Sequence, residues 1–302
     1  MLSINTNAAS MAAVNAINKS NASLSQSMER LATGKRINSS ADDAAGKQIA
    51  NRMQTQSDGM AMAQRNIADA TAMLQTADGM FDEMNDILGR MDELATQAAN
   101  GTYSDDDRAA MQSEFDELGQ EMSDMLQNTT NGGTNLFNKS ENGLFTSTSG
   151  VTFQVGSQST DQITINISSQ VSQLATDLGS LSAAFSDDYG TDGAGGTATG
   201  AAGSELMTLD SANATISAVQ GVMDEVGSIQ STLGATMNRL SSTATNLQSM
   251  QDNTEVAIGN IMDTDYATEA SNMSKQQVLM QTGITMLKQA NSMSGMVSSL
   301  LQ

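Results

Sequence analysis

The stretch MAMAQRNIADATAMLQTADGMFDEMNDILGRMDELATQA, residues 60–98, decides the fold. Met60, Ala63, Ile67, Ala70, Leu74, Ala77, Phe81, Met84, Leu88, Met91, Ala95 and Ala98 follow alternating three- and four-residue steps, without a polar interruption. A mean period of ~3.5 residues is that of a coiled-coil seam. A helix this long gains little from backbone propensity and needs partner helices along its flank. Helix faces, rather than a pocket, are therefore expected to carry function.

A matching register lies in the second half of the chain: Leu209, Ala212, Ile216, Val219, Met223, Val226, Gln230, Leu233, Met237, Leu240, Ala244, Leu247, Gln251, Thr254, Ile258 and Ile261. At ~1.5 Å per residue it predicts a helix on the order of 80 Å long, equal to that over 43–100. Shorter stripes sit at the two ends. Val14, Ile17, Asn21, Leu24, Met28 and Leu31 form one, with Asn21 as a register-setting polar member. Leu279, Gly283, Met286, Ala290, Met293, Val297 and Leu300 form the other, with Met280, Ile284 and Leu287 beside it. So wide an apolar face belongs to a helix covered on most sides.

Local signals set the boundaries. Gly34 and the Asn38-Ser39-Ser40 cluster interrupt the first stripe, and Ser40 with Asp43 predicts a helix start. Asn100-Gly101-Thr102 predicts a stop, with Gly101 as a left-handed cap. Ser104 with Asp105, Asp106 and Asp107 predicts the next start, a charge cluster suited to the helix dipole rather than to calcium. Met111, Phe115, Leu118, Met122 and Met125 are its buried side, and Asn131-Gly132-Gly133 ends it. Val151–Val155 and Gln162–Ile167 alternate as the strands of a hairpin. Residues 186–204 are small, polar and Gly-rich, a mobile outer loop tip.

The fold class is thus mainly α: a long antiparallel coiled-coil rod built by the two halves, with a small β-hairpin region and a flexible loop tip. Its expected parts are an N-terminal assembly helix (1–42), rod helices plus hairpin (43–185), an outer loop (186–205), a C-terminal rod helix (206–257) and a C-terminal assembly helix (258–302).

Composition narrows function. Aromatics are 3%, Cys, His, Trp and Pro are absent, and Met numbers 23. Without Cys or His there is no thiol nucleophile, imidazole base or soft-ligand metal site, so neither an enzyme nor a cofactor is expected. A formal charge of −21 argues against nucleic acid and anionic membrane as partners. The acid crowds residues 78–124, where only Arg90 and Arg108 oppose it, and reads as a solvated face. The N-terminal MLSINTNAASMAAVNAINKS lacks a basic region followed by an apolar run, so a cleavable secretory signal is not expected.

Three runs carry a family likeness: Ile4-Asn5-Thr6-Asn7, LATGKRINSSADDAAGKQIANRM (31–53) and DTDYATEASNMSKQQVLMQTG (263–283). They resemble bacterial flagellin, over roughly residues 1–175 and 206–302. The resemblance implies a secreted, extracellular subunit of the flagellar filament used for swimming, exported unfolded through a type III apparatus. The homologous hook–filament junction protein is the alternative. It implies a homopolymer of identical subunits, with an export chaperone, a filament cap and junction proteins as further partners.

The expected assembly seam is Val14, Ile17, Leu24, Met28 and Leu31 with Leu279, Gly283, Met286, Met293, Val297 and Leu300. Residues 1–40 and 260–302 are expected to be loose in the monomer and to fold on assembly. The likeness also implies a host Toll-like receptor patch at Arg90, Glu93, Leu94, Gln97 and Glu114. Gly89 and Asp92 depart from the Gln and Arg common in strongly stimulating relatives, which predicts weaker recognition. The residues' other reading is as subunit contacts within the filament.

Overall fold

The computed structural model describes residues 7–138, 143–182, 184–185 and 203–300, of which 294–300 are described by backbone alone. The expected loop tip over 186–202, the Ile4-Asn5-Thr6 run and the seam side chains of Val297 and Leu300 lie outside the described residues. The elements run α1 (Ala8–Thr33), α2 (Ala44–Ala98), α3 (Asp105–Asn128), β1 (Thr130–Asn131), β2 (Thr134–Asn135), a 3₁₀ turn (Leu144–Thr146), β3 (Val151–Gln154), β4 (Gln162–Ile165), α4 (Ser168–Leu181), α5 (Leu209–Met262) and α6 (Tyr266–Leu300). They form two compact units, Gly59–Ser249 and Met1–Asp58 with Met250–Gln302. α2 and α5 contribute to both.

The first unit is built on the seam that opens the sequence reading. All twelve of its residues, from Met60 to Ala98, are buried in one continuous core. α5 runs antiparallel to α2 here, because moving from Gln64 to Asn85 on α2 moves the hydrogen-bonded partner backwards from Gln248 to Gln230. The polar Gln230 on the α5 register is used: it accepts from Asn85 at 3.1 Å and donates to Asp82 at 2.7 Å. Flanking rows, Met80 and Leu94 on α2 and Val222 and Ile229 on α5, are buried too. α2 and α5 each meet neighbours on more than one side, so their apolar faces are wider than a two-helix seam.

α3 starts as its sequence predicts. Ser104 and Asp107 form a reciprocal capping box, and the hydrogen bonds from Ser104 hold the Asp107 carboxyl below its ordinary range. The end of α2 differs from expectation. Gly101 does not adopt a left-handed conformation. Instead the buried Arg108 reaches back from α3, donating from Nε to Ala98 O at 3.1 Å and from a terminal nitrogen to Asn100 O at 3.4 Å. A guanidinium fork satisfies the orphan carbonyls that a glycine cap would otherwise serve.

Asn131-Gly132-Gly133 not only follows α3 but forms the turn of a tiny antiparallel hairpin, β1–β2. Beyond it Phe137 packs edge-on against Phe81 of α2 at 5.2 Å and stacks on Phe145 at 5.5 Å. Much of the chain's small aromatic complement is thus concentrated at one place in the core. The β3–β4 hairpin is present, registered Val151 opposite Ile165 through Gln154 opposite Gln162. α4 was not foreseen, although Val171, Leu174, Leu178 and Leu181 carry its helical spacing and are all buried. The returning chain is held by Gln112 of α3, whose side chain accepts from Leu206 N at 2.7 Å and donates to Asp116 and Glu205.

Arg108→Met is expected to lower the unfolding free energy by about 1–3 kcal/mol by leaving those carbonyls without donors. Denaturant titration measures the loss, and Lys at that position, a point charge without the fork, should recover little of it.

Glu225 of α5 offers a pH test. Burial first, then the Asp177 carboxylate on α4, raises its pKa, and among the described residues Oε2 meets no N–H or hydroxyl donor. A raised folded value means that the group's stabilising contribution is complete below the unfolded pKa and is lost as pH rises through the folded one. Glu225→Gln should therefore raise the melting temperature at pH 7 and do little near pH 4. Equal effects at both pH values would contradict the pairing.

Candidate assembly interface

In the unit formed by Met1–Asp58 and Met250–Gln302, two motifs from opposite ends of the chain meet. α1 ends at Gly34, which takes φ 72° and donates its N–H to Arg30 O at 2.9 Å. Any other L-residue would be strained by roughly 1–2 kcal/mol in that left-handed conformation. The following residues then clasp the junction of α5 and α6. Lys35 bridges to Asp263, and Thr264 N donates to Gly34 O at 3.0 Å. Arg36 donates its backbone N–H to Met262 O at 2.6 Å and a guanidinium N–H to Ile261 O at 2.8 Å. Arg36 thus satisfies carbonyls at the end of α5 as Arg108 does for α2.

The clasp is reinforced on both sides. Tyr266 donates its hydroxyl to Leu31 O at 3.1 Å, and Arg30 lies 3.8 Å from the buried Glu269. Beneath them Ile37 is fully buried against Ala50 and Met262, flanked by Ile258 and Ile261. Asp265 accepts from Thr268 Oγ1 and from the N–H groups of Ala267 and Thr268, which lowers its pKa. Asp42 does the same for Ser39 N, Gln26 and Asn38 N, and its pKa is lowered too. The start of α2 is capped by Asp43, which accepts from Gly46 N at 2.9 Å, rather than by Ser40. The acid stands immediately before the first helical residue, where its carboxylate reaches the free N–H groups. These contacts explain in physical terms why the LATGKRINSS and DTDYATEA runs have the residues they do.

Beyond the clasp, α1 and α6 pair antiparallel. Asn7 donates to Ala290 O at 3.1 Å, and the Ser10 and Asn291 side chains meet at 3.1 Å. Gly283 sits against Ile17: a β-carbon there would lie 2.8 Å from Ile17 Cγ1. Among the proposed seam residues, Leu24 is buried and Ile17, Leu31 and Gly283 are half-buried. Val14, Met28, Leu279, Met286 and Met293 are instead exposed, Met286 by 62%. The in-chain face of α1 uses Ala13, Ile17, Ser20, Leu24 and Ser27, one position off the predicted row at several steps. On α6 it uses Met273, Met280, Gly283, Leu287 and Ala290.

The consequence is a second apolar face on each helix that the chain does not cover. Met11, Val14 and Met28 lie on it on α1, and Leu279, Met286 and Met293 on α6; the exposed Ile284 stands on the other side of the covered row. Leu279, Met286 and Met293 repeat every seven residues, the spacing that another helix would fill.

The Arg90 group lies in the other unit. Arg90 donates to Glu114 Oε1 and Glu93 Oε2, each at 2.9 Å, and these partners raise its pKa. Gln97 donates to Tyr103 OH at 3.1 Å. Leu94 is buried, so its side chain is withheld from that surface. Among the described residues no group of acidic side chains could hold a metal ion, and no helix is long and apolar enough to cross a membrane.

Comparison with known proteins adds sequence kinship to this geometry. The family described as bacterial flagellin N-terminal helical region matches residues 4–142, and bacterial flagellin C-terminal helical region matches 216–301. Flagellin of Listeria monocytogenes is 33% identical over 300 residues, covering 99% of each chain. Polar flagellin F of Vibrio parahaemolyticus is 40% identical over 168 residues, covering 56% of this chain and 43% of that one. A solved structure of a putative flagellar hook-associated protein from Vibrio parahaemolyticus shares the fold with TM-score 0.57 at 16% identity, over 74% of this chain and 100% of the other.

Gly283→Leu is expected to cut filament yield sharply while leaving the exported amount of protein unchanged, because overpacking against Ile17 costs about 1–3 kcal/mol. Electron microscopy and the protein level in the medium measure the two. Ile17→Ala in the same chain should restore filaments in part; normal filaments from Gly283→Leu alone would remove the packing argument.

Proposed function

The chain belongs to the bacterial flagellin family, whose members are structural proteins and not enzymes, and from that premise we propose how its helices build a filament. It is a structural subunit of the bacterial flagellar filament and polymerises with identical copies. The hook–filament junction alternative is not favoured.

The observation that carries the mechanism is the uncovered apolar row on α1 and α6. Each row is covered by helices of neighbouring copies, and the contact is heterologous: the row of one subunit meets a different surface of the next. Such contacts do not close and therefore propagate as a helical tube. The terminal segments, 1–42 and 258–302, form its inner wall, and the helices and hairpin of 43–185 and 206–257 the outer layer.

Folding is coupled to this step. An α1–α6 pair with Ser20, Ser27 and Gly283 in its seam buries little apolar surface for its length, so most of the stabilisation comes from neighbouring copies. A chain loose at both ends also fits export in unfolded form to the cell exterior. An export chaperone would cover the apolar ends before assembly, and cap and junction proteins would seat the first and last copies. The Arg90, Glu93 and Glu114 cluster serves subunit contacts. A host Toll-like receptor would meet the same cluster together with Gln97 but without the Leu94 side chain, which accords with weak recognition.

Leu279→Gln with Met286→Gln should abolish polymerisation while leaving the Gly59–Ser249 unit as stable as before, read by sedimentation and by thermal unfolding. Amide exchange on the monomer should be fast through α1 and α6 and slow in the filament. Slow exchange throughout both helices in the monomer would sink coupled folding.

A further inference from the structure

The chain has no Cys and no Trp, so its 23 methionine thioethers are the side chains most open to peroxide. The structure sorts them sharply. Met60, Met84, Met91 and Met122 are buried in the core, whereas Met11, Met28, Met286 and Met293 are 62, 49, 62 and 54% exposed on the uncovered rows of α1 and α6. Elsewhere Met62 and Met250 are exposed, away from those rows.

We propose that Met11, Met28, Met286 and Met293 are a modification site for hydrogen peroxide, whose oxidation in the unassembled subunit blocks its entry into the filament and whose reduction restores it. The proposal rests on the assembly reading above, in which these four side chains become buried between copies.

The chemistry is self-contained. A sulfur lone pair attacks one peroxide oxygen, the S–O bond forms as the O–O bond breaks, and hydroxide leaves. Hydroxide then takes the proton from the sulfur-bound oxygen, giving the sulfoxide and one water. Sulfur is oxidised by two electrons and the peroxide is reduced by two. The product replaces a flexible apolar side chain by one with a strong S=O dipole. In water that dipole is hydrated. Between packed helices it loses that hydration, and its neighbours at heptad spacing on α6 are Leu279, Met286 and Met293. Burying an unsatisfied polar group opposes association. The same residues, once packed in the tube, are shielded from the oxidant, so the sensitivity belongs to the free subunit.

The test treats purified full-length monomer with hydrogen peroxide, maps sulfoxides by peptide mass spectrometry and measures the critical concentration for polymerisation. Wild type is expected to acquire sulfoxides at the four positions and to show at least a ~10-fold rise in critical concentration. Treatment with the two methionine sulfoxide reductases and dithiothreitol should reverse the rise. The Met11→Leu, Met28→Leu, Met286→Leu, Met293→Leu chain should polymerise and keep doing so after peroxide, since Leu conserves volume and shape class. The Met62→Leu, Met250→Leu chain should stay as sensitive as wild type.

Unchanged polymerisation of monomer carrying all four sulfoxides would overturn the proposal. So would no recovery after reduction, or a four-Leu chain as sensitive as wild type. Preformed filaments in which the four sulfurs oxidise as fast as in monomer would overturn it as well. Failure of untreated wild type to polymerise would instead remove the assembly reading on which it stands.

Discussion

The terminal helices carry apolar side chains on two faces but have only one helix of their own chain to cover them, and the rest of the protein's behaviour depends on that mismatch. A single face turned to solvent costs free energy roughly in proportion to its area. Scattered apolar side chains on a surface are ordinary, but rows at helical spacing are not. On α6 the exposed Leu279, Met286 and Met293 repeat every seven residues while Gly283 and Leu287 face α1. The chain can relieve the exposure only by finding other helices, and identical copies are always at hand once it is made in quantity.

The two units solve helix packing in opposite ways. In Gly59–Ser249 the strongest apolar side chains point inward: Phe81, Phe115, Phe137, Phe145, Leu74 and Leu88 are all buried, and α2 and α5 gain extra coverage from α3 and α4. That unit can be stable by itself. In the terminal unit the inward positions include Ser20, Ser27 and Gly283, and larger side chains such as Met11, Val278 and Met286 point out. The clasp of Gly34, Arg36, Tyr266 and Asp265 is polar and local, so it fixes the geometry of the turn rather than supplying a core. Hydrogen bonds of this kind contribute modestly each but specify direction well.

Much of this was legible from residues alone, for reasons that can be named. A seam with no polar interruption from Met60 to Ala98 could only be a long covered helix, and each of its residues is buried. Ser104 with Asp107 forms the predicted box because capping is decided within four residues. The errors arose where distant groups intervene. Gly101 lost its expected role to Arg108, which is ten residues from the carbonyl it caps; Ser40, by contrast, yields to Asp43 only three residues on, because that acid stands directly before the helix. α4 is short, and its four-residue apolar row Val171, Leu174, Leu178 and Leu181 lies between a β-hairpin and a Gly-rich polar stretch, so its helical period runs for about three turns. The seam of α1 was misassigned at several steps: periodicity marks apolar positions but not which apolar face meets the same chain and which meets another.

That last ambiguity carries information about function. In a protein that folds alone, the most apolar stripe of a helix and its buried stripe coincide, and reading one gives the other. Here the predicted stripe on α1 mixes residues of both faces: Ile17 and Leu24 turn toward α6, while Val14 and Met28 turn away. The sequence pattern records all the neighbours a helix will have, whereas a single chain displays only those it brings with it. A one-position offset also runs along α5, where Thr215, Val222, Ile229 and Thr236 are buried and Ile216, Met223, Gln230 and Met237 only half-buried; what sets α1 and α6 apart is that Val14, Met28, Leu279 and Met286 are exposed outright. The clasp strengthens the point. Arg36, Tyr266 and Thr264 hold α1 antiparallel to α6 through their hydrogen bonds, which sets the uncovered rows of the two helices in a fixed relation once the pair has formed. Fixing that relation confines the ordering that accompanies each addition to a single arrangement. Sparse packing between the helices, with Ser20, Ser27 and Gly283 inward, is the observation on which the proposed coupling of their folding to each addition rests.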